Sequence, residues 1–259
     1  MKWPNTLTVV RHGESAYNIL KAKKAADPLY QEFLEAYEHR KSDMAQAKRL
    51  AEAVMKNGDL SLRQGDHDTP LTTTGEQQAE ITGRKLAELI KLPDIVYVSP
   101  YKRTLDTLGH MAIGWPELAD VPTVEDDRLR EQEHGLATLY SDWRIFNIMD
   151  PQQEKFRDIQ GSYWYKYPQG ENVSDVRGRH QSITNTLVRE YAGQDVLMVT
   201  HHLYLLSLRA NQERFGAEQF INLDENEKPV NCGVTIYRGD PAQGKDGKLI
   251  LDKYNEQLY

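Results

Sequence analysis

Leu7-Thr8-Val9-Val10-Arg11-His12-Gly13-Glu14-Ser15, with Asn18 shortly after it, is the stretch that organises the chain. A short β-branched, apolar run ends in Arg-His-Gly, so a strand delivers a histidine to its carboxyl end. In open α/β sheets that end is where ligands bind. Two similar runs follow, Asp94-Ile95-Val96-Tyr97-Val98 and Asp195-Val196-Leu197-Met198-Val199-Thr200. Their nearly unbroken apolarity predicts strands covered on both faces, as in a parallel sheet.

Between these strands lie helical periodicities. Residues 75–90 place Ala79, Gly83, Leu86 and Ile90 on one stripe, and residues 174–191 place Val176, Ile183, Leu187 and Val188 on another. Strand–helix alternation predicts an α/β three-layer sandwich, with a mostly parallel central sheet and helices on both faces. Residues 230–238 and 248–254 read as a hairpin added at the sheet edge, around a turn-rich segment over 239–247. Cys232 falls in the first of those runs and reads as a small buried hydrophobe in a strand. Residues 21–57 lack strand-like runs and are expected to be helical. Residues 135–168 carry Trp143, Phe146, Phe156, Tyr163, Trp164, Tyr165 and Tyr167, enough for a small satellite core. Both segments are expected as insertions capping a single domain over 1–259.

The bulk composition narrows the class. The chain has 259 residues, 39% hydrophobic and 27% charged, which is ordinary for a globular protein. Its formal charge of -7 argues against a general nucleic-acid binder, because that affinity needs a basic surface. No window reaches the roughly 18 apolar residues of a membrane helix. The start, MKWPNTLTVV, has no secretory h-region. With one cysteine no internal disulfide can form, and a reducing cytoplasm is the expected location. The C-terminal hairpin offers an edge on which a second copy could pair as a homodimer.

The first motif suits a phosphate. Arg11 can fork two oxygens, Asn18 can donate an amide proton, and Gly13 lets the backbone approach closely. A neutral imidazole at His12 is a competent nucleophile toward phosphorus near pH 7. From these residues alone, a strand-end histidine beside a surface arginine is the plain alternative.

The stretch resembles the R-H-G-E-S-x-x-N signature of the histidine phosphatase, or phosphoglycerate mutase-like, superfamily, and further segments match in order. Leu71-Thr72-Thr73-Thr74-Gly75-Glu76-Gln77-Gln78-Ala79 resembles the family's L-T-x-x-G-x-x-Q-A helix opening, where Thr72 or Thr74 serves as a cap. Ser99-Pro100-Tyr101-Lys102-Arg103-Thr104-Leu105-Asp106-Thr107 resembles S-P-x-x-R-x-x-x-T. It sets Arg103 in a helix's first turn, where anions are already favoured. Val199-Thr200-His201-His202 resembles V-T-H-G, with His202 replacing the glycine; alternation along an extended segment would turn His202 away to pack. Arg128-Leu129-Arg130-Glu131-Gln132-Glu133-His134-Gly135 resembles L-x-E-x-x-aromatic-G and points to Glu131, with His134 at the aromatic position and Glu133 or Asp127 as rivals. Tyr167-Pro168-Gln169-Gly170-Glu171-Asn172 resembles a stretch leading into a helix that Asn172 would cap, with Glu171 nearby.

The resemblance implies that His12 becomes a phosphohistidine and that Glu131 serves as proton donor. Arg11, Asn18, Arg103 and His201 would hold the phosphoryl oxygens, without a metal or other cofactor. The expected activity is metal-independent hydrolysis of a small-molecule phosphomonoester. The closest rival is a phosphoglycerate mutase-type transfer between hydroxyls, which needs extra cations. Residues 135–168 supply Arg144, Lys155, Arg157 and Lys166 but no tight basic pair. A metal hydrolase built on the eight histidines lacks an H-E-x-x-H spacing. A non-catalytic phosphate binder of the same fold is the third alternative.

Overall fold

A computed structural model describes residues 2–61, 65–140 and 142–259. Its main elements in chain order are β1 (Thr6–Arg11), α1 (Ala16–Ala26), α2 (Pro28–Glu38), α3 (Met44–Lys56), α4 (Thr73–Leu89), β2 (Ile95–Val98), α5 (Lys102–Gly114) and β3 (Thr123–Glu125). They continue as α6 (Trp143–Met149), α7 (Pro151–Gln160), α8 (Val173–Glu190), β4 (Asp195–Thr200), α9 (His202–Gln212), α10 (Ala217–Asn226), β5 (Val234–Asp240) and β6 (Lys248–Glu256). Two compact units result: Met1–Ser15, Asp66–Glu131 and Asp175–Tyr259 form one, and Ala16–Gly65 with Gln132–Ser174 the other.

The first unit holds one sheet, in the order β3-β2-β4-β1-β5-β6. The strands from β3 to β1 are parallel, while β5 runs antiparallel to both β1 and β6. Period-2 alternation splits the apolar runs between two cores. Leu7, Val9, Ile95, Tyr97, Val196 and Met198 meet Ile183 and Leu187 of α8 and Tyr204, Leu205 and Leu208 of α9. Val10, Val96, Val98, Leu197 and Val199 face Ala79 and Leu86 of α4 and Met111 of α5. These two layers are the sandwich expected from the sequence. A Cβ on Gly83 would fall 2.2 Å from the Met111 carbonyl oxygen, so glycine there lets α4 and α5 touch backbone to backbone.

Two local expectations change. The C-terminal hairpin forms, but β5 starts only at Val234; Cys232 lies in the preceding turn with φ +50. The turn wins over the apolar pattern because its amides are used elsewhere: the Cys232 N–H donates to the His12 carbonyl. The second change is at His202, which opens α9 instead of extending β4.

The second unit gathers both insertions. Residues 21–57 are helical, as expected. Phe33, Ala47, Leu50, Ala51 and Val54 from α2 and α3 pack with Ile145 and Ile148 from α6. Ala137, Phe146, Tyr165 and Tyr167 make the aromatic satellite core, while Phe156 and Trp164 are left exposed. Trp143 carries the Arg157 guanidinium 3.6 Å from its ring centroid, a cation–π contact.

Candidate functional site

Parallel register brings three strand ends of the first unit together. Arg11 pairs with Thr200, and Val98 with Val199, so the residues that follow, His12, Ser99 and His201, emerge side by side. Because β4 lies between β2 and β1, His201 stands between the other two. The backbone at His12 is pinned from both sides: its N–H donates to the Thr200 carbonyl at 2.9 Å, and its carbonyl accepts from Cys232 N and Asn231 Nδ2. A Cβ on Gly75 would sit 2.0 Å from the Glu14 carbonyl oxygen, and one on Gly13 2.6 Å from the Gly75 oxygen. These glycines therefore let the start of α4 press against the loop after His12. Thr72 caps α4 by accepting the Gly75 N–H at 3.0 Å, a contact worth about 1 kcal/mol.

Both histidines are buried, and geometry fixes the tautomer of His12. His12 Nδ1 lies 2.7 Å from the Gly13 carbonyl, which can only accept, so Nδ1 carries the proton and Nε2 of the neutral ring keeps its lone pair. His201 Nε2 lies 2.7 Å from the Ser99 hydroxyl, while its Nδ1 is buried without a hydrogen-bond partner. The rings approach with centroids 5.3 Å apart. Burial first, then the Arg103 and Arg11 charges, hold the His12 pKa well below the ordinary imidazole value. Burial and Arg103 do the same for His201. Both imidazoles are neutral at pH 7, and the positive charge of the site belongs to its arginines.

Arg11 donates to the Pro229 carbonyl at 2.6 Å, and its Nε is buried without a hydrogen-bond partner. Arg103, in the first turn of α5, is 4% exposed and lies over Tyr101, whose ring also packs on His201. Its Nη1 donates to the Asp66 backbone oxygen at 2.7 Å and to Asp66 Oδ1 at 3.0 Å. The Glu131 carboxylate accepts the Leu203 N–H at the start of α9, at 3.2 and 3.3 Å, and acts electrostatically on Arg11. Arg179 of α8 donates to the carbonyls of Arg128, Arg130 and Glu131, holding the loop that presents that carboxylate. Two guanidinium groups close enough to lower the pKa of the buried His12 imidazole have the chemistry to hold an anion beside that ring's unprotonated nitrogen. Among the described residues, no group of three or more His, Cys, Asp or Glu side chains is placed to hold a metal ion.

A family model described as histidine phosphatase superfamily (branch 1) matches residues 54–245. The chain belongs to the histidine phosphatase superfamily. It is 26% identical over 197 residues to the phosphoglycerate mutase-like protein AT74H of Arabidopsis thaliana, covering 72% of this chain and 54% of that protein. Over 142 residues it is 28% identical to an acid phosphatase of Mycobacterium tuberculosis, covering 55% and 63% respectively. The chain thus spans between half and two thirds of each of these relatives. A mycobacterial glucosyl-3-phosphoglycerate phosphatase solved with inorganic phosphate has the same fold, with a TM-score of 0.63 at 18% identity, covering 98% of each chain.

Of the residues that the superfamily motif singles out, Arg11, His12, Arg103, Glu131 and His201 lie in the first unit, and Asn18 lies half-buried in the first turn of α1 in the second. Asp127, a rival to Glu131, is a solvated side chain, 80% exposed. His202 turns its Nε2 to within 3.0 Å of the Asp224 carboxylate on α10. His134 packs on the Tyr167 ring with centroids 5.3 Å apart, so it fills the role of the aromatic it replaces. Asn172 precedes α8 and donates to the Trp164 carbonyl, and Glu171 accepts the Glu133 N–H. Cys232 is buried, and that burial pushes its thiol up to about 12, which disfavours the thiolate. Sequence reading passed over Ser99, Asp66 and Arg179. Ser99 stood inside a quoted motif, whereas Arg179 and Asp66 had no local signal because their partners are distant along the chain.

Proposed function

We propose that the protein hydrolyses a small-molecule phosphomonoester through a phosphohistidine at His12. The observation that carries this reading is the fixed His12 tautomer: Nδ1–H is spent on the Gly13 carbonyl, which leaves the Nε2 lone pair for phosphorus. Arg11, Arg103 and the His201 ring would take the equatorial phosphoryl oxygens, and Asn18 is expected to add an amide donor. His12 Nε2 forms the N–P bond as the ester P–O bond breaks, and the Glu131 carboxylate relays the proton of the substrate's phosphate monoanion to the departing alkoxide. Water then attacks the phosphohistidine, losing its proton to Glu131, and inorganic phosphate leaves with the imidazole neutral again. Positioning and charge stabilisation carry such a transfer, and the arginines supply that charge without a metal.

A mutase shares these groups and differs in passing the phosphoryl group to a second hydroxyl. Mutase-like relatives keep that reading in view. The test is phosphate release from a panel of phosphomonoesters with EDTA present, for wild type and His12→Ala. Release by wild type only, together with an acid-labile phosphoryl label on the protein, is the expected result. Equal release by both proteins sinks the mechanism. Transfer that requires a phosphorylated acceptor supports the mutase.

A further inference from the structure

Arg103 is not held by neutral groups alone. Asp66 grips it twice, through its backbone oxygen at 2.7 Å and its Oδ1 at 3.0 Å, with Oδ2 at 3.5 Å from Nη2. The carboxylate is 41% exposed while the Arg103 side chain is 5% exposed, so the acid reaches in from solvent to a buried cation. The segment carrying Asp66 is anchored next to that helix start: the His67 carbonyl accepts the Lys102 N–H at 2.9 Å, and the His67 ring packs on Tyr101 with centroids 5.2 Å apart. Arg11, the other cation, donates to the neutral Pro229 carbonyl and feels the Glu131 carboxylate only electrostatically. The two arginines therefore differ in that a carboxylate hydrogen-bonds Arg103 directly.

We propose that Asp66 is a positioning residue that also competes with the bound phosphoryl group for Arg103, weakening the grip on free phosphate so that product leaves. This inference rests on the reading of Arg103 as a phosphoryl-oxygen ligand. The physical basis is a division of labour within one residue. The Asp66 backbone oxygen orients Nη1 whatever its side chain, while the carboxylate neutralises part of the guanidinium charge and occupies donors that an anion would use. An incoming dianion must share or displace that carboxylate. Removing only its charge leaves that backbone hold intact and returns the full guanidinium charge to the anion.

The test is the affinity of the full-length protein for inorganic phosphate and for vanadate, measured by calorimetry in wild type, Asp66→Asn, Arg103→Gln and the double variant. Asp66→Asn should tighten phosphate binding about two- to fivefold, the size expected of an ion pair half open to water. The gain should shrink at high salt and vanish when Arg103 is also replaced. In turnover, Asp66→Asn should lower KM and the phosphate inhibition constant together, with kcat falling where release limits the rate, and Asp66→Glu should restore values near wild type. Equal or weaker phosphate binding by Asp66→Asn, with the wild type binding normally, overturns this inference and leaves the functional reading standing. Absence of phosphate and vanadate binding in every protein, wild type included, overturns the functional reading and this inference with it.

Discussion

His12 and His180 are both buried histidines of the first unit, and burial lowers the pKa of both. Around His180 the nitrogens are met within the helical layer. Nδ1 lies 3.2 Å from the Tyr204 hydroxyl, and Nε2 lies 3.1 Å from Thr184 Oγ1 and 3.4 Å from Gln212 Nε2. Around His12 one nitrogen is committed to a carbonyl and the ring stands between Arg11, Arg103 and His201. Burial alone therefore does not mark a reactive histidine. What separates them is whether the second nitrogen is spent on neutral partners or left facing cations that would hold an anion.

The largest effect that would break this contrast is at His12. His12→Ala should abolish turnover, a loss of more than about 10⁴-fold, while near-UV circular dichroism stays native. His201→Ala comes next. Losing a donor aimed at a charged transition state should lower kcat by roughly 10² to 10³, whereas His180→Ala should keep kcat within about threefold. A comparable loss at His180 would show that the distinction drawn from their partners is empty.

Smaller still is the effect of Ser99→Ala. A neutral His201 that donates from Nδ1 must accept at Nε2, and the Ser99 hydroxyl is the group placed to donate there. Removing that hydroxyl should mix the two tautomers, visible in ¹⁵N NMR of the His201 ring, and cost about tenfold in kcat with KM little changed. An unchanged ring spectrum would show that Ser99 does not set the tautomer.

His180 should instead declare itself in stability. Its folded pKa is about 3, against roughly 6.5 in the unfolded chain. Between those values the unfolded state binds the extra proton, so stability rises with pH in that window. It is complete above about pH 6.5 and falls as the solution is acidified toward pH 3. His12 and His201 add to the same slope, since their folded pKa values are also depressed. His180→Ala should cost about 1–3 kcal/mol in urea unfolding at pH 7, from the polar partners it strands, and should flatten the acid decline. A steeper decline in the variant would contradict the assignment.

The fold was legible wherever one strand or helix carries its own pattern. The runs ending at Val10, Val98 and Thr200 read as buried strands because a central parallel strand has no polar face to hide. β3 was not legible, since three partly exposed residues have no pattern to read. The turn at Cys232 was misread as strand because local apolarity does not report where backbone amides are needed. At the site, His12, Arg11, Arg103 and His201 were legible because each sits within a few residues of a strand end. Asp66 and Arg179 were not, because their partners lie 37 and 48 residues away.

The sequence by itself determined the alternation of strands and helices, the two histidines at strand ends, the arginines beside them and membership of a superfamily. Only the tertiary structure decided which nitrogen of the His12 ring holds the proton, that a carboxylate hydrogen-bonds Arg103 whereas Arg11 donates to a carbonyl, and that His202 faces Asp224. The physical reason is that strand formation and residue chemistry are local. Protonation, charge balance and side-chain direction depend on neighbours that only the folded register of β2, β4 and β1 brings within hydrogen-bond reach.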